Sequence, residues 1–208
     1  IDCVSQMNTG AKYNDEIFQF SVGLNGVGLK AVNALSSHFL VRSTREGKFV
    51  EASFSKGVLL GKTEGKSKDP SGTYIEFVPD EEIFANYRFK QELIQKRISY
   101  YAFLNHGLTL VFNGMPIQSQ NGLLDLINDE ITEEKVYPPL YYRSKNLEFA
   151  FLHTSHYGEN YFSFVNGQYT SDGGTHLAAF REGLVKAINE FSKKSFQGVD
   201  VREGIVAA

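Results

Sequence analysis

Residues 21–36 read SVGLNGVGLKAVNALS and set three glycines, Gly23, Gly26 and Gly28, immediately ahead of a run with helical spacing. Glycine loses more backbone freedom on ordering than any other residue, so three of them at a helix start need a reason. One reason is structural: a positive φ, or a neighbour too close for a Cβ. The other is a ligand. A helix N-terminus carries unpaired N–H groups and partial positive charge, and a loop without side chains lets a phosphate reach them. On that second reading an alanine at Gly26 harms ligand binding more than folding. The pattern G-x-x-G-x-G is not a Walker loop, since no Gly-Lys-Ser/Thr closes it, nor the dinucleotide G-x-G-x-x-G. Beyond it, Val27, Ala31, Val32, Leu35 and Phe39 recur at helical intervals.

Working outward, the chain has 208 residues and 42% apolar content, enough for one large or two small domains with a real core. A net charge of −3 excludes bulk attraction to a polyanion, so any nucleic-acid contact must come from a local basic face. The lone cysteine, Cys3, excludes an internal disulfide and suits a reducing compartment. No apolar run reaches the roughly 18 residues of a membrane span, and no basic-then-apolar signal segment opens the chain. Ile1 replaces an initiator Met, and the last residues stop inside an apolar run that reads as a strand just starting. The sequence therefore reads as an internal piece of a longer protein.

Residues 1–8 read as a short helix and 9–25 as a polar loop. Strands are expected at 39–44, 48–55 and 73–78, with Glu46-Gly47 turning between the first two. The Gly/Lys/Ser-rich piece 61–72 reads as a polar loop closing on the turn Asp69-Pro70-Ser71-Gly72. Residues 89–105 read as a long helix, and 108–112 as a strand followed by an Asn113-Gly114 hairpin turn. A first unit then ends near Gln120. In the second, 123–128 reads as a helix, 147–153 and 161–166 as a strand pair, and 175–192 as a helix after the turn Asp172-Gly173-Gly174. Strands and helices mix without a strict βαβ repeat, so the class is α+β or mixed α/β.

No complete catalytic centre is visible. His153-x-x-His156 has no Cys or carboxylate at ligand spacing, which argues against zinc. There is no G-x-S-x-G elbow, and Cys3 has no evident base. Ser71-Gly72-Thr73 places a hydroxyl at the mouth of a strand, as a turn residue or as a ligand contact. Lys12 is either solvated or an element of the glycine-loop site. Along 175–192, Leu177, Phe180, Leu184, Ile188 and Phe191 form one apolar stripe. Lys186 and Lys193 point away from it and Arg181 sits at its edge, which makes either a solvated face or a polyanion surface.

Taken together, these segments resemble the ATPase (B-type) subunits of bacterial type IIA DNA topoisomerases, those of gyrase and of topoisomerase IV. Gly10-Ala11-Lys12-Tyr13 resembles the family's G-G-K-F. Gly23-Leu24-Asn25-Gly26-Val27-Gly28 resembles G-L-H-G-V-G, and 31–36, AVNALS, the A/V-V-N-A-L-S that follows it. Residues 72–79, GTYIEFVP, resemble G-T-x-I-x-F-x-P, and 103–107, FLNHG, resemble F-L-N-x-G. Residues 172–181, DGGTHLAAFR, resemble D-G-G-T-H-x-x-x-F-R, and Arg202-Glu203-Gly204-Ile205 resembles R-E-G-L/I. Asn25 stands where gyrase usually has His, and G-L-N-G-V-G looks like topoisomerase IV, which is favoured over gyrase.

The resemblance implies an α+β chain. Residues 1–120 would be the C-terminal half of a GHKL (Bergerat) ATPase domain, including the ATP lid and glycine loop. Residues 121–208 would be most of a transducer domain of the ribosomal protein S5 domain 2-like fold. It implies that Gly23, Leu24, Asn25, Gly26, Val27 and Gly28 wrap the phosphates of ATP, that Lys12 lies near the γ-phosphate, and that Thr73 supports the adenine side. Phe18 falls where gyrase has a nucleotide-contacting Tyr, so that contact is not carried over. The family's general-base Glu, its Mg2+-binding Asn and its adenine-site Asp are expected upstream of Ile1, and its Gln-Thr-Lys loop downstream of Ala208. No catalytic residue or metal ligand is therefore assigned to the chain, which by itself is expected not to hydrolyse ATP. Arg181, Lys186 and Lys193 would be DNA-proximal. The implied partners are double-stranded DNA, an A-type subunit carrying the cleavage tyrosine, and a second copy of the ATPase region. No membrane is involved, and the expected location is cytoplasmic and nucleoid-associated. Two other readings remain: a GHKL-superfamily ATPase acting on protein clients, which the D-G-G-T-H segment disfavours, and a catalytically inert structural module.

Overall fold

Phe39, Val41 and Ser43 alternate with His38, Leu40 and Arg42, and this period of two makes the segment after the glycine-loop helix a strand. In the computed structural model, which describes residues 1–9 and 26–208, the chain divides into the units Ile1–Phe89 and Lys90–Ala208. The first holds α1 (Asp2–Ser5), α2 (Gly28–Ala34), β1 (Ser36–Arg45), β2 (Lys48–Ser55), β3 (Val58–Lys66) and β4 (Gly72–Pro79). Its strands form one antiparallel sheet in the order β3-β2-β1-β4. Phe39 lies opposite Phe54 and Phe77, and Val41 opposite Ala52 and Ile75, so these side chains share one face. Leu29 and Val32 of α2 pack there on Phe39, Ala52, Phe54 and Val4. Glu46 and Gly47 both take positive φ, as the tight turn between right-twisted strands requires.

Two expectations are corrected here. Phe39 does not continue the helical stripe, because α2 ends at Ala34 and Phe39 is a strand residue buried against Phe54. Residues 61–66 are not loop but most of β3, the sheet's edge strand, exposed along its whole length. An edge strand open to solvent needs no apolar alternation, and charged residues such as Lys62, Glu64 and Lys66 guard it against unwanted pairing. Its place is set by backbone bonding to β2 and by the Phe49 ring lying on Gly65, where a Cβ would come within 2.9 Å of that ring.

The second unit contains α3 (Gln91–Leu104), β5 (Leu110–Phe112), β6 (Met115–Ile117), α4 (Leu123–Glu130), β7 (Leu140–Arg143) and β8 (Glu148–His153). It continues through β9 (Asn160–Tyr161), β10 (Phe164–Val165), β11 (Gln168–Tyr169), α5 (Thr175–Ser192), α6 (Gly198–Arg202) and β12 (Ile205–Ala207). The central sheet runs β7-β8-β12-β9. Ala150 and Leu152 of β8, with Val206 of β12, bury against Tyr100 of α3 and Leu126 and Ile127 of α4. Phe149 and Phe151 alternate to the other face and meet Phe180 of α5. Helices thus cover both faces of this sheet.

The strand pair expected from 147–153 and 161–166 is also corrected: β12 lies between them, antiparallel to β8 and parallel to β9. Only Asn160 and Tyr161 belong to that sheet, while Phe164 and Val165 turn away into a separate hairpin with β11. The break between units after Phe89 falls ahead of residue 120, because α3 shares the core of α4 and β8 through Tyr100.

Candidate functional site

At the start of α2, Gly26 has φ +56°, and a Cβ there would come within 2.8 Å of the Thr9 carbonyl oxygen. The fold itself therefore demands this glycine, so the structural reason applies at Gly26 whatever a ligand adds. Gly28 differs: its φ is not positive, and among the described residues nothing lies within 4 Å of an added Cβ. Packing among the described residues does not require a glycine there. Val27 stands at the N-cap of α2 and, among the described residues, no side chain caps the helix there.

Lys30 is a charged residue at this helix start that motif reading passed over. It lies in the first turn of α2, is 7% exposed, and donates from Nζ to the Thr9 carbonyl at 2.8 Å. Among the described residues it has no carboxylate partner. A buried ammonium at the positive end of a helix is unfavourable twice, through desolvation and through the helix dipole. That misplacement of charge was the signal available in the sequence. Asn33, by contrast, is structural: its Nδ2 donates to the Val4 carbonyl at 2.9 Å and ties α2 to α1.

Thr73 stands on β4 opposite Ser43, exposed, on the same sheet face as α2. It is four residues from Phe77, roughly 14 Å along the strand. Ile75 lies between them, 40% exposed. Gly26, Val27, Gly28, Lys30 and Thr73 therefore belong to one face of one unit. Lys12, Gly23, Leu24 and Asn25, with Phe18, lie outside the described residues. Among the described residues no group of three or more His, Cys, Asp or Glu is placed to hold a metal ion. His153 is committed elsewhere: its ring bonds the Tyr137 hydroxyl on one side and the Val201 carbonyl, at 2.8 Å, on the other.

The second candidate face is on α5. Phe180 is enclosed by Phe149, Phe151 and Tyr161, but Phe191 is 92% exposed, so the expected stripe stops one turn early. The helix ends at Lys193, whose left-handed backbone closes it. Lys186 and Lys193 are exposed and form no ion pair among the described residues. Arg181 is differently placed. It pairs with Glu159 at 2.9 Å and lies over the Tyr161 ring at 5.6 Å. Burial pushes the Glu159 carboxyl up, but hydrogen bonds from Tyr161, Arg181 and Arg202 outweigh it and hold the group below the usual range. The D-G-G-T-H turn also has a local cause. Gly173 and Gly174 take positive φ, and His176 at the helix start bonds the Ser163 hydroxyl at 2.6 Å.

No helix among the described residues is long and apolar enough to cross a membrane. The family model described as DNA gyrase B matches residues 117–208. The B-type subunit of DNA topoisomerase 4 from Borreliella burgdorferi is 60% identical over 208 residues, all of this chain and 35% of that protein. The B-type subunit of DNA gyrase from the same organism is 32% identical over 98% of this chain and 36% of its own length. The chain thus spans about a third of the length of these relatives. The crystal structure of the 43K ATPase domain of Thermus thermophilus gyrase B, in complex with an aminocoumarin, matches with a TM-score of 0.73 and 32% identity. That match covers 88% of this chain and 56% of the other. Its mixed helix and strand architecture, its identity over full length and its glycine-loop and D-G-G-T-H segments place the chain in the family of B-type subunits of type IIA DNA topoisomerases.

Proposed function

We propose that the chain is part of the ATP-binding, B-type subunit of a topoisomerase IV, which couples ATP binding, hydrolysis and dimer closure to passage of one DNA duplex through another. The observation that carries the choice is the gap within one organism: 60% identity to the topoisomerase 4 protein against 32% to the gyrase protein. Residues 1–120 serve as the later part of the GHKL ATPase domain and 121–208 as transducer domain.

The residues of the first unit fit a nucleotide triphosphate. Gly28 leaves room for an oxyanion to approach backbone N–H groups, and an anion there neutralises the buried Lys30 ammonium. Thr73 offers a hydroxyl beside the apolar Ile75, suited to the adenine end. Lys12, Gly23, Leu24 and Asn25 complete the phosphate side on this reading. When bound, Mg2+ would spread the phosphate charge, and its ligand is expected outside these 208 residues. The chain's own residues bind and orient the nucleotide, and activation of water falls to groups outside it. On this reading Arg181, Lys186 and Lys193 are the residues of the second unit nearest double-stranded DNA. The remaining partners are an A-type subunit and a second copy of the B-type subunit, in a cytoplasmic, nucleoid-associated complex.

The test uses the full-length subunit reconstituted with its A-type partner. ATP-dependent decatenation and relaxation without negative supercoiling is expected. Net negative supercoiling would move the assignment to gyrase. ATP turnover without any strand passage would favour the protein-client reading. The 208-residue chain alone should give no phosphate release, since loss of a general base typically costs about 10²–10⁴ in rate.

A further inference from the structure

One carboxylate, Glu159, serves two guanidinium groups. Arg181 donates to it at 3.0 Å and Arg202 donates through Nε, also at 3.0 Å, while the Tyr161 hydroxyl donates at 2.7 Å. The cluster therefore carries one positive charge in excess, and among the described residues neither arginine has a second carboxylate partner. The two arginines are not equivalent. The Arg181 side chain is 41% exposed and that of Arg202 18%, with Glu159 at 20%. Arg181 also has a buried Nε with no partner, so its guanidinium is incompletely satisfied where it sits. Arg202 is held at the end of α6, and its neighbour Glu203 accepts from the Gly158 N–H at 2.9 Å, fixing the turn that carries Glu159.

We propose that Glu159 is a releasable counter-ion for Arg181, with Arg202 as its stand-in. A DNA phosphate diester draws Arg181 away, and Arg202 with Tyr161 keeps the carboxylate paired. Breaking a partly buried ion pair is costly mainly because the abandoned charge stays uncompensated. Here it does not, so the exchange needs little driving force. A bidentate phosphate contact suits the guanidinium that is freed. Glu159 and Arg202 are thus positioning residues that set how readily Arg181 responds to DNA. This rests on the DNA-facing reading of Arg181.

The experiment measures, in the full-length B-type subunit with its A-type partner, the DNA concentration giving half-maximal stimulation of ATP hydrolysis. Glu159→Gln keeps an acceptor for Arg202 and Tyr161 but loses the charge that retains Arg181, so that concentration should fall about two- to fivefold. Arg202→Gln leaves Arg181 as the only charge partner of Glu159, so it should rise by a similar factor. Made on an Arg181→Gln background, neither substitution should shift it. A merely structural cluster would move both single variants the same way, together with their melting temperatures. Should Glu159→Gln not fold, Tyr161→Phe keeps the ring under Arg181 but removes one donor from Glu159, and should shift as Arg202→Gln does. Shifts in one common direction, or none, with DNA stimulation still weakened in Arg181→Gln, would overturn this inference and leave the DNA role of Arg181 standing. Normal DNA stimulation in Arg181→Gln would overturn both.

Discussion

Gly26→Ala and Gly28→Ala add the same methyl group two residues apart and should fail in different ways. At Gly26 the backbone has φ +56°, which costs an L-residue about 1–2 kcal/mol. The new Cβ would also sit 2.8 Å from the Thr9 carbonyl oxygen and 3.3 Å from the Lys30 ammonium. Relieving that overlap means moving backbone, at about 1–3 kcal/mol more. The sum, roughly 2–5 kcal/mol, corresponds to a melting fall on the order of 5–15 °C for a chain of this size. At Gly28 nothing among the described residues lies within 4 Å, and a helical alanine gains up to about 1 kcal/mol over glycine. Gly28→Ala should therefore melt at or slightly above the parent temperature. Its methyl group nevertheless stands in the open approach to the α2 N–H groups, and affinity for a non-hydrolysable ATP analogue should drop about tenfold or more. Differential scanning calorimetry and titration calorimetry on the full-length subunit read the two effects separately. Full nucleotide affinity in a normally folded Gly28→Ala would refute the phosphate role of this end of α2. A parental melting temperature in Gly26→Ala would refute the geometry.

Lys30→Met loses the donor to the Thr9 carbonyl but also removes an unfavourably placed buried charge, so chemical denaturation should show a net change within about 1 kcal/mol. The same variant should show a smaller nucleotide-induced rise in melting temperature than the parent. Phe180→Ala should cost about 3 kcal/mol, since its ring packs on Phe149, Phe151 and Tyr161. Phe191→Ala should stay within about 0.5 kcal/mol, and equal losses in the two would contradict the observed α5 face. Glu159 is held below its ordinary value of 4.5 in the fold, so its contribution is complete above that pH and lost as pH falls through the lower folded value. Asp125, held down by hydrogen bonds from Asn121, Ser119 and Gln120 against the opposing effect of burial, acts in the same sense. Acid titration of stability should then steepen below about pH 4.5, and Glu159→Gln should flatten part of that limb.

Local pattern was enough for much of this protein. The helix Thr175–Ser192 and the strand Lys48–Ser55 follow from hydrophobic period, and the turns at Glu46-Gly47 and Asn113-Gly114 from the few residues that tolerate positive φ. The glycine-loop and D-G-G-T-H motifs carry the family, and at Gly26, Gly173 and Gly174 a positive φ restricts residue choice strongly. What the sequence could not specify depends on partners distant along the chain. β3 is a strand because β2 lies beside it, not because its own residues alternate. β12 lies between β8 and β9, and Gly204 at its start allows an approach to the Thr154 carbonyl oxygen that would put a Cβ at 2.5 Å. Charge shows the same limit. In sequence Arg181 differed from Lys186 and Lys193 only by its place at the edge of the apolar stripe. Tertiary packing leaves Lys186 exposed and commits Arg181 to Glu159, while in the other unit Lys30 is buried with a carbonyl as partner. A hydrophobic period is written in consecutive residues, whereas an ion pair between Glu159, Arg181 and Arg202 exists only once β9, α5 and α6 have been brought together.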